Sequence, residues 1–315
     1  MPTGLPAPYT DLVDDAAIFP PGNVPLSEAV AAFVTRENEW YADLVGSFVI
    51  GDVRLPDLLE VVDELDPQDR LPTTVVISGG AGSLLPAAKW ATGSGLLSLR
   101  GLEIALRDPD DLAGNARRVA AAVDEARADG VLDDDVPVYV ELPHVGSTAS
   151  WLAGADVVAE HEFRLKFRTG GVEAHLFPHA HALARWIDAA LDRETPFKCT
   201  AGLHNAVRHT GETGFEHHGF LNVLLATGHA FDGGSTEDVT GLLENRDGPA
   251  LVAMADEDEL VRARRWFLSF GSCSVLEPLE DLIDLGLVAT GSTDDAGPTD
   301  GGSTDGGSTD EQDDE

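Results

Sequence analysis

Short apolar runs alternate with longer amphipathic stretches along most of this chain. The runs SFVIGD (47–52), TTVVISG (73–79), GLEIALR (101–107), VPVYVELP (136–143), FRLKFRTGG (163–171) and PFKCTAG (196–202) have the length and β-branched or aromatic content of strands. Between them, LPDLLEVVDEL (55–65), DDLAGNARRVAAAVDEARADG (110–130) and HAHALARWIDAALD (179–192) carry helical spacing, with Asp or Pro near their starts and Gly or Pro beyond their ends. Strand followed by helix followed by strand implies a parallel sheet. A weak first strand around VDDAAIF (13–19) and a last one around PALVAM (249–254) bring the count to the eight that closes a (β/α)8 TIM-type barrel. An open doubly wound sheet is the alternative. The apolar, Gly-punctuated segment 266–286 is expected to pack a closing helix onto the barrel.

Within each strand, alternation separates residues facing the helices from those facing the barrel axis. Leu102, Ile104 and Leu106 share one face and Glu103 lies on the other; Val138, Val140 and Leu142 oppose Tyr139 and Glu141. Leu165 and Phe167 face outward while Arg164, Lys166 and Arg168 face inward, and Phe197 and Cys199 oppose Lys198 and Thr200. The inner wall thus receives Glu103, Glu141, Lys166, Arg168 and Lys198 near the strand ends where barrel active sites are built. Buried charges need partners, so the same residues also satisfy the reading of a polar core network without chemistry.

Composition sharpens the choice. The chain holds 56 Asp+Glu against 20 Lys+Arg, a formal charge of -36, which predicts a protein adapted to a salt-rich cytosol. It excludes nucleic acid as a partner, because phosphate neutralisation needs a basic face. Only Lys89, Lys166 and Lys198 are lysines. Two of these fall on adjacent predicted strands, and an amine, unlike a guanidinium, serves as both nucleophile and base. Like-charge repulsion from Lys198 and Arg168, with desolvation, would lower the pKa of Lys166 and prime it for a Schiff base with an aldehyde or ketone, while Glu103 or Glu141 moves protons. The cations would also grip a small anionic substrate, phosphorylated or carboxylated, with backbone N–H groups of Thr169, Gly170, Gly171, Ala201 and Gly202 and the side chain of Thr200.

The series GLEIALR, VPVYVELP, KFRTGG and KCTAGL resembles the middle strands of deoxyribose-phosphate aldolase and related class I aldolase barrels, over residues 98–204. In that family a lysine beside a Thr-Gly turn forms the Schiff base and a lysine on the following strand lowers its pKa. The resemblance implies a lyase in which Lys166 is the Schiff-base residue, Lys198 its perturbing neighbour, and Gly170, Gly171 and Gly202 line the phosphate end. The family's catalytic aspartate has no clear counterpart, Glu103 being only nearby in strand order, and Arg168 and Thr169 replace smaller residues.

A second feature is GLHNAVRHTGETGFEHHGFLN (202–222), which holds His204, His209, His217 and His218 after the seventh strand. It reads as an active-site loop in which one histidine, His204 first, acts as acid, base or substrate contact. The lysine chemistry needs no cofactor; the alternative is a divalent metal held by His204, His209, His217, His218 and Asp14, in a metal-dependent lyase, isomerase or hydrolase. A non-catalytic ligand-binding barrel is the third reading. SGGAGS (78–83) has neither dinucleotide nor P-loop spacing and reads as a strand-to-helix turn.

The domain organisation expected is one α/β barrel domain over 1–289, then a disordered acidic tail of Gly, Ser, Thr and Asp over 290–315. Two cysteines cannot build a disulfide framework, no apolar run approaches the roughly 20 residues of a membrane span, and the N-terminus lacks a signal-peptide pattern. These point to a cytoplasmic protein without a membrane partner; the oligomeric state is left open.

Overall fold

A computed structural model describes residues 4–290. The acidic tail expected from residue 290 therefore lies, from residue 291 on, outside the described residues. Eight parallel strands close into a barrel: β1 (Val13–Asp15), β2 (Val45–Gly51), β3 (Leu71–Ile77), β4 (Leu97–Ala105), β5 (Val138–Glu141), β6 (Arg164–Arg168), β7 (Phe197–Thr200) and, after the two-residue strands β8 (His209–Thr210) and β9 (Glu216–His217), β10 (Phe267–Ser272). Around the ring they run β1-β10-β7-β6-β5-β4-β3-β2, which is a (β/α)8 barrel and excludes the open doubly wound sheet. Strands β8 and β9 form a separate antiparallel hairpin beyond β7.

The outer layer contains α1 (Leu26–Arg36), α2 (Leu55–Leu65), α3 (Leu84–Gly93), α4 (Leu112–Ala128), α5 (Ala149–Glu160), α6 (Ala180–Leu191), α7 (Phe220–Phe231), α8 (Thr236–Glu244), α9 (Gly248–Met254), α10 (Glu257–Ala263) and α11 (Leu276–Asp284). Local chemistry sets several of their boundaries. Asp111 and Thr148 accept N–H bonds at the starts of α4 and α5, and α2 begins with Pro56 in its first turn and ends at Asp66 in the left-handed conformation. Between helices and barrel lies an apolar core. Trp151 of α5, Trp186 of α6, Phe167, Phe197 and Phe267 form one aromatic series with successive ring centroids 4.9–6.4 Å apart.

The last strand is not where the apolar pattern places it. PALVAM is helix α9, opened by Asp247 accepting the Ala250 N–H, with only Leu251 buried. The barrel is closed instead by β10, inside the segment expected to be helical, where only α11 is a helix. A register shift between Phe267 and Phe270 explains the misreading. The irregularity leaves two aromatics three residues apart in the same outer layer, Phe267 against Phe197 and Phe270 against Phe220 of α7, and that spacing mimics one face of a helix.

Candidate active site in the barrel interior

Pairing between strands brings the inward polar residues into register. Glu141 of β5 stands opposite Lys166 of β6, and Lys166 opposite Lys198 of β7, so the two lysines are lateral neighbours. Their amines do not repel each other directly, because carboxylates lie between. Glu103 of β4 accepts from Lys166 through Oε2 and from Lys198 through Oε1, both at 2.6 Å. Glu141 accepts from Lys166 at 3.0 Å and from Arg168 Nε at 2.8 Å. Asp14 of β1 accepts from Lys198 at 2.6 Å, from Ser269 at 2.7 Å and from Ser47 at 2.6 Å. With the Ser47 proton given to Asp14, the Thr74 hydroxyl donates to Ser47 at 2.8 Å.

The result is one continuous polar chain to which all eight barrel strands contribute: Thr74, Ser47, Asp14, Lys198, Glu103, Lys166, Glu141 and Arg168, with Ser269 from β10 as a branch. Its three carboxylates balance its three cations, which is the condition for burying so many charges. One layer lower, Arg164 donates to the Tyr139 hydroxyl at 2.9 Å, and the Lys198 amine lies 5.1 Å from the Tyr139 ring centroid. Exposure rises along the chain toward the mouth, from 2% for the Lys198 side chain and 5% for Lys166 to 12% for Glu141 and 34% for Arg168.

This pairing sets the protonation states. Burial alone would raise the pKa of Glu103, but Lys166 and Lys198 outweigh it and hold the carboxyl at about 2. Burial pushes in the same direction on Glu141, and Lys166 and Arg168 again prevail, so it too lies below its ordinary value. For Lys166, burial favours the neutral amine, yet Glu103 and Glu141 carry the pKa above the usual lysine value; Asp14 and Glu103 do the same for Lys198. The expected depression of Lys166 by Lys198 and Arg168 is thereby corrected: intervening carboxylates, invisible in strand order, make both lysines paired ammonium ions.

In the glycine-rich turns, one of the five N–H donors expected to meet an anion, that of Thr169, is engaged within the barrel. The Thr169 N–H donates to Thr200 O at 2.9 Å and its hydroxyl to Ala201 O at 2.5 Å, so both donors are spent on joining the ends of β6 and β7. A side chain on Gly170 would come within 2.8 Å of the Gly202 Cα, and Gly202 itself has φ +77°, so close backbone approach demands glycine at both. Gly171 is packed on Leu176, and Thr200 lies at the mouth beside Gly271 of β10.

The loop histidines disperse. His209 and His217 stack across the β8–β9 hairpin with centroids 5.1 Å apart, and His217 rests on Phe177. His218 is fully buried, bonded through Nε2 to Pro178 O and through Nδ1 to Arg208; burial above all drives its pKa down to about 4. His204 turns instead toward Glu277 and Cys273. Asp14 is committed to Lys198, so the five residues considered as metal ligands do not converge, and among the described residues no group of three or more His, Cys, Asp or Glu side chains is arranged to hold a metal ion. Sequence reasoning missed Ser47, Thr74 and Ser269, which carry no distinctive spacing, and did not pair Asp14 with Lys198.

No protein-family model matches this sequence, and no curated protein matches it either. What fold and interior define is a closed (β/α)8 barrel with a charged, internally neutralised axis. Among the described residues no helix is long and apolar enough to cross a membrane.

Proposed function

We propose that the barrel performs Schiff-base carbonyl chemistry of the aldolase-like lyase type on a small anionic substrate, with Lys166 as nucleophile. The observation that carries this reading is the pairing of Lys166 with two carboxylates, Glu103 at 2.6 Å and Glu141 at 3.0 Å, the second of which leads to the mouth. Lys198 is enclosed between Asp14 and Glu103, whereas Lys166 shares Glu141 with the more exposed Arg168, which makes Lys166 the amine nearer to an entering carbonyl.

In this scheme the Lys166 ammonium passes a proton to Glu141, and the freed lone pair adds to the substrate carbonyl carbon. The former carbonyl oxygen takes one proton from the attacking nitrogen and a second from Glu141 and leaves as water, giving a protonated Schiff base and restoring the Glu141 carboxylate. The bond between the α and β carbons then breaks, its electron pair forming an enamine with the Schiff-base nitrogen as sink, while the β-hydroxyl gives its proton to Glu141 and becomes the second carbonyl; protonation and hydrolysis of the enamine free Lys166. Glu103 and Lys198 stay paired through these steps, and Arg168, the most exposed of the three cations in the interior network, meets the anionic group of the substrate.

Full pairing of both amines favours a second reading, a polar core that fixes strand register without chemistry. Borohydride treatment in concentrated KCl with a panel of small aldehydes, ketones and their phosphates, followed by peptide mass spectrometry, separates the two. Carbonyl chemistry gives a reduced adduct on Lys166 that is absent from Lys166→Ala. Unmodified lysines across the panel leave the structural reading standing.

A further inference from the structure

Beyond the lysine site, a separate group of reactive side chains assembles where β10 ends and α11 begins. Cys273 follows the last residue of β10, and its sulfur lies 3.6 Å from His204 Nε2. The opposite ring nitrogen, His204 Nδ1, is 2.6 Å from Glu277 Oε2 in the first turn of α11. A weaker contact of 3.5 Å joins Nδ1 to Ser272 Oγ.

These partners fix the tautomer. The Ser272 hydroxyl spends its hydrogen on Ser274 O at 2.6 Å, so toward the imidazole it only accepts. The Glu277 carboxylate likewise only accepts. Both therefore call for the proton on Nδ1, which turns the lone pair of Nε2 toward the Cys273 thiol. A nucleophile within reach of a base that is oriented by a carboxylate is the general pattern of triad catalysis.

The surroundings suit a nucleophile. Cys273 is partly exposed, whereas the other cysteine, Cys199, is fully buried, and burial pushes its thiol pKa far up. Helix α11 starts three residues beyond Cys273 and favours negative charge at its N-terminus. Gly22 leaves room on the other side, since a Cβ there would come within 3.0 Å of the Cys273 Cβ. Besides Glu277, the charged or titratable groups around the imidazole are His217 from β9 and, on β1 beside Ser272, Asp15 paired with Arg36. The pKa of His204 is raised: burial opposes this, and Cys273 and Glu277 outweigh it.

We propose that Cys273, His204 and Glu277 form a thiol nucleophile, base and orienting carboxylate that attack acyl carbonyl carbons of esters or thioesters at the barrel mouth. The thiol proton moves to His204 Nε2 as sulfur bonds to the carbonyl carbon and the carbonyl electron pair shifts to oxygen. Collapse of the adduct breaks the bond to the leaving group, which departs with the proton from His204, and Cys273 is left as a thioester. Water, deprotonated by His204, then releases the acid and restores the thiol.

The test uses the full chain in concentrated KCl with p-nitrophenyl acetate and, separately, iodoacetamide, read by peptide mass spectrometry. Cys273 is acetylated and alkylated faster than a simple thiol such as N-acetylcysteine at the same pH, and Cys199 stays unmodified. His204→Ala lowers the acetylation rate of Cys273 about a hundredfold. Glu277→Gln, a change in a positioning residue, lowers it less and displaces the pH profile of alkylation. Near-UV circular dichroism checks folding of both variants, and the comparison with a simple thiol needs no variant at all. Acetylation of Cys273 no faster than of the simple thiol, or an unchanged rate in folded His204→Ala, overturns the proposal. The readout is a thioester on Cys273, not an adduct on Lys166, so either proposal can fail without the other.

Discussion

Lys166 and Lys198 stand opposite each other in the β6–β7 register, and Glu103 reaches both amines at 2.6 Å from across the barrel. A carboxylate shared by two buried ammonium groups changes what each lysine can do. Each is held charged by its neighbours, and any chemistry at Lys166 begins with a proton moving inside the network instead of with a free amine. The arrangement also ties β4 to β6 and β7 through the barrel axis, so site and scaffold share the same atoms.

Removing that carboxylate is therefore expected to be costly. Glu103→Gln leaves two buried cations competing for the remaining acceptors, and breaking a buried pair in this way costs about 3–5 kcal/mol. Glu141→Gln removes one partner of Lys166, but Lys166 keeps Glu103 and Arg168 is a third exposed. Its cost is smaller, about 1.5–3 kcal/mol, the range for hydrogen bonds to charged groups. Urea unfolding at fixed KCl gives both values; equal losses would show that Glu103 is not the central link.

Acid should weaken the fold in two stages. His218 is buried and neutral with a pKa near 4, whereas in the unfolded chain it binds a proton near 6.5. The unfolded state thus binds more protons as pH falls between those values, so this contribution is whole above 6.5 and is lost on the way down to 4. Its size is roughly 3 kcal/mol. Glu103, held at about 2, adds a second loss that begins as pH falls through the ordinary glutamate value of 4.5 and ends near pH 2. Unfolding midpoints measured from about pH 7 to about pH 4.5 should decline, and His218→Gln should flatten that decline.

Much of this was legible in the chain. Period-two alternation identified Glu103, Glu141, Lys166, Arg168 and Lys198 as inward residues, and all five lie in the polar chain. Period alone does not reveal who pairs with whom, because Asp14 and Lys198 meet across 184 positions and Glu103 reaches two strands that are not its sheet neighbours. The eighth strand was hidden by its register irregularity, which gave Phe267 and Phe270 a helical spacing. His204 drew notice for its histidine-rich loop, but its partners Cys273 and Glu277 lie 69 and 73 residues away, in a segment that offered no polar pattern of its own.

Salt should govern stability more than any single contact. A formal charge of -36 repels itself over a Debye length of about 30 Å at 0.01 M salt but only about 3 Å at 1 M. Lowering KCl from about 2 M to about 0.1 M should therefore lower the unfolding temperature, with NaCl restoring it equally well and an uncharged osmolyte failing to do so. Insensitivity to salt would mean that the acidic surface is already neutralised by other means.

The two stacked indoles offer a contrast in which shape is nearly constant and hydrogen bonding is not. Trp151 and Trp186 lie 6.4 Å apart with rings 11° from parallel, and both are almost wholly buried. Trp186 donates its Nε1–H to Val145 O at 3.2 Å, whereas the buried Nε1 of Trp151 has no partner. Replacing Trp186 by Phe loses this bond to the carbonyl of Val145, an exposed residue, at a cost of about 0.5–1.5 kcal/mol beyond packing. Replacing Trp151 by Phe removes an unpaired buried donor, which offsets part of the lost ring contact, so Trp151→Phe should stay within about 1.5 kcal/mol of the parent. Trp151→Ala, which empties the space between α5 and Phe167, should cost about 3–5 kcal/mol. Urea midpoints for the three variants in one buffer decide the matter: Trp151→Phe more damaging than Trp186→Phe would mean that ring volume, not the state of the indole N–H, controls this part of the core.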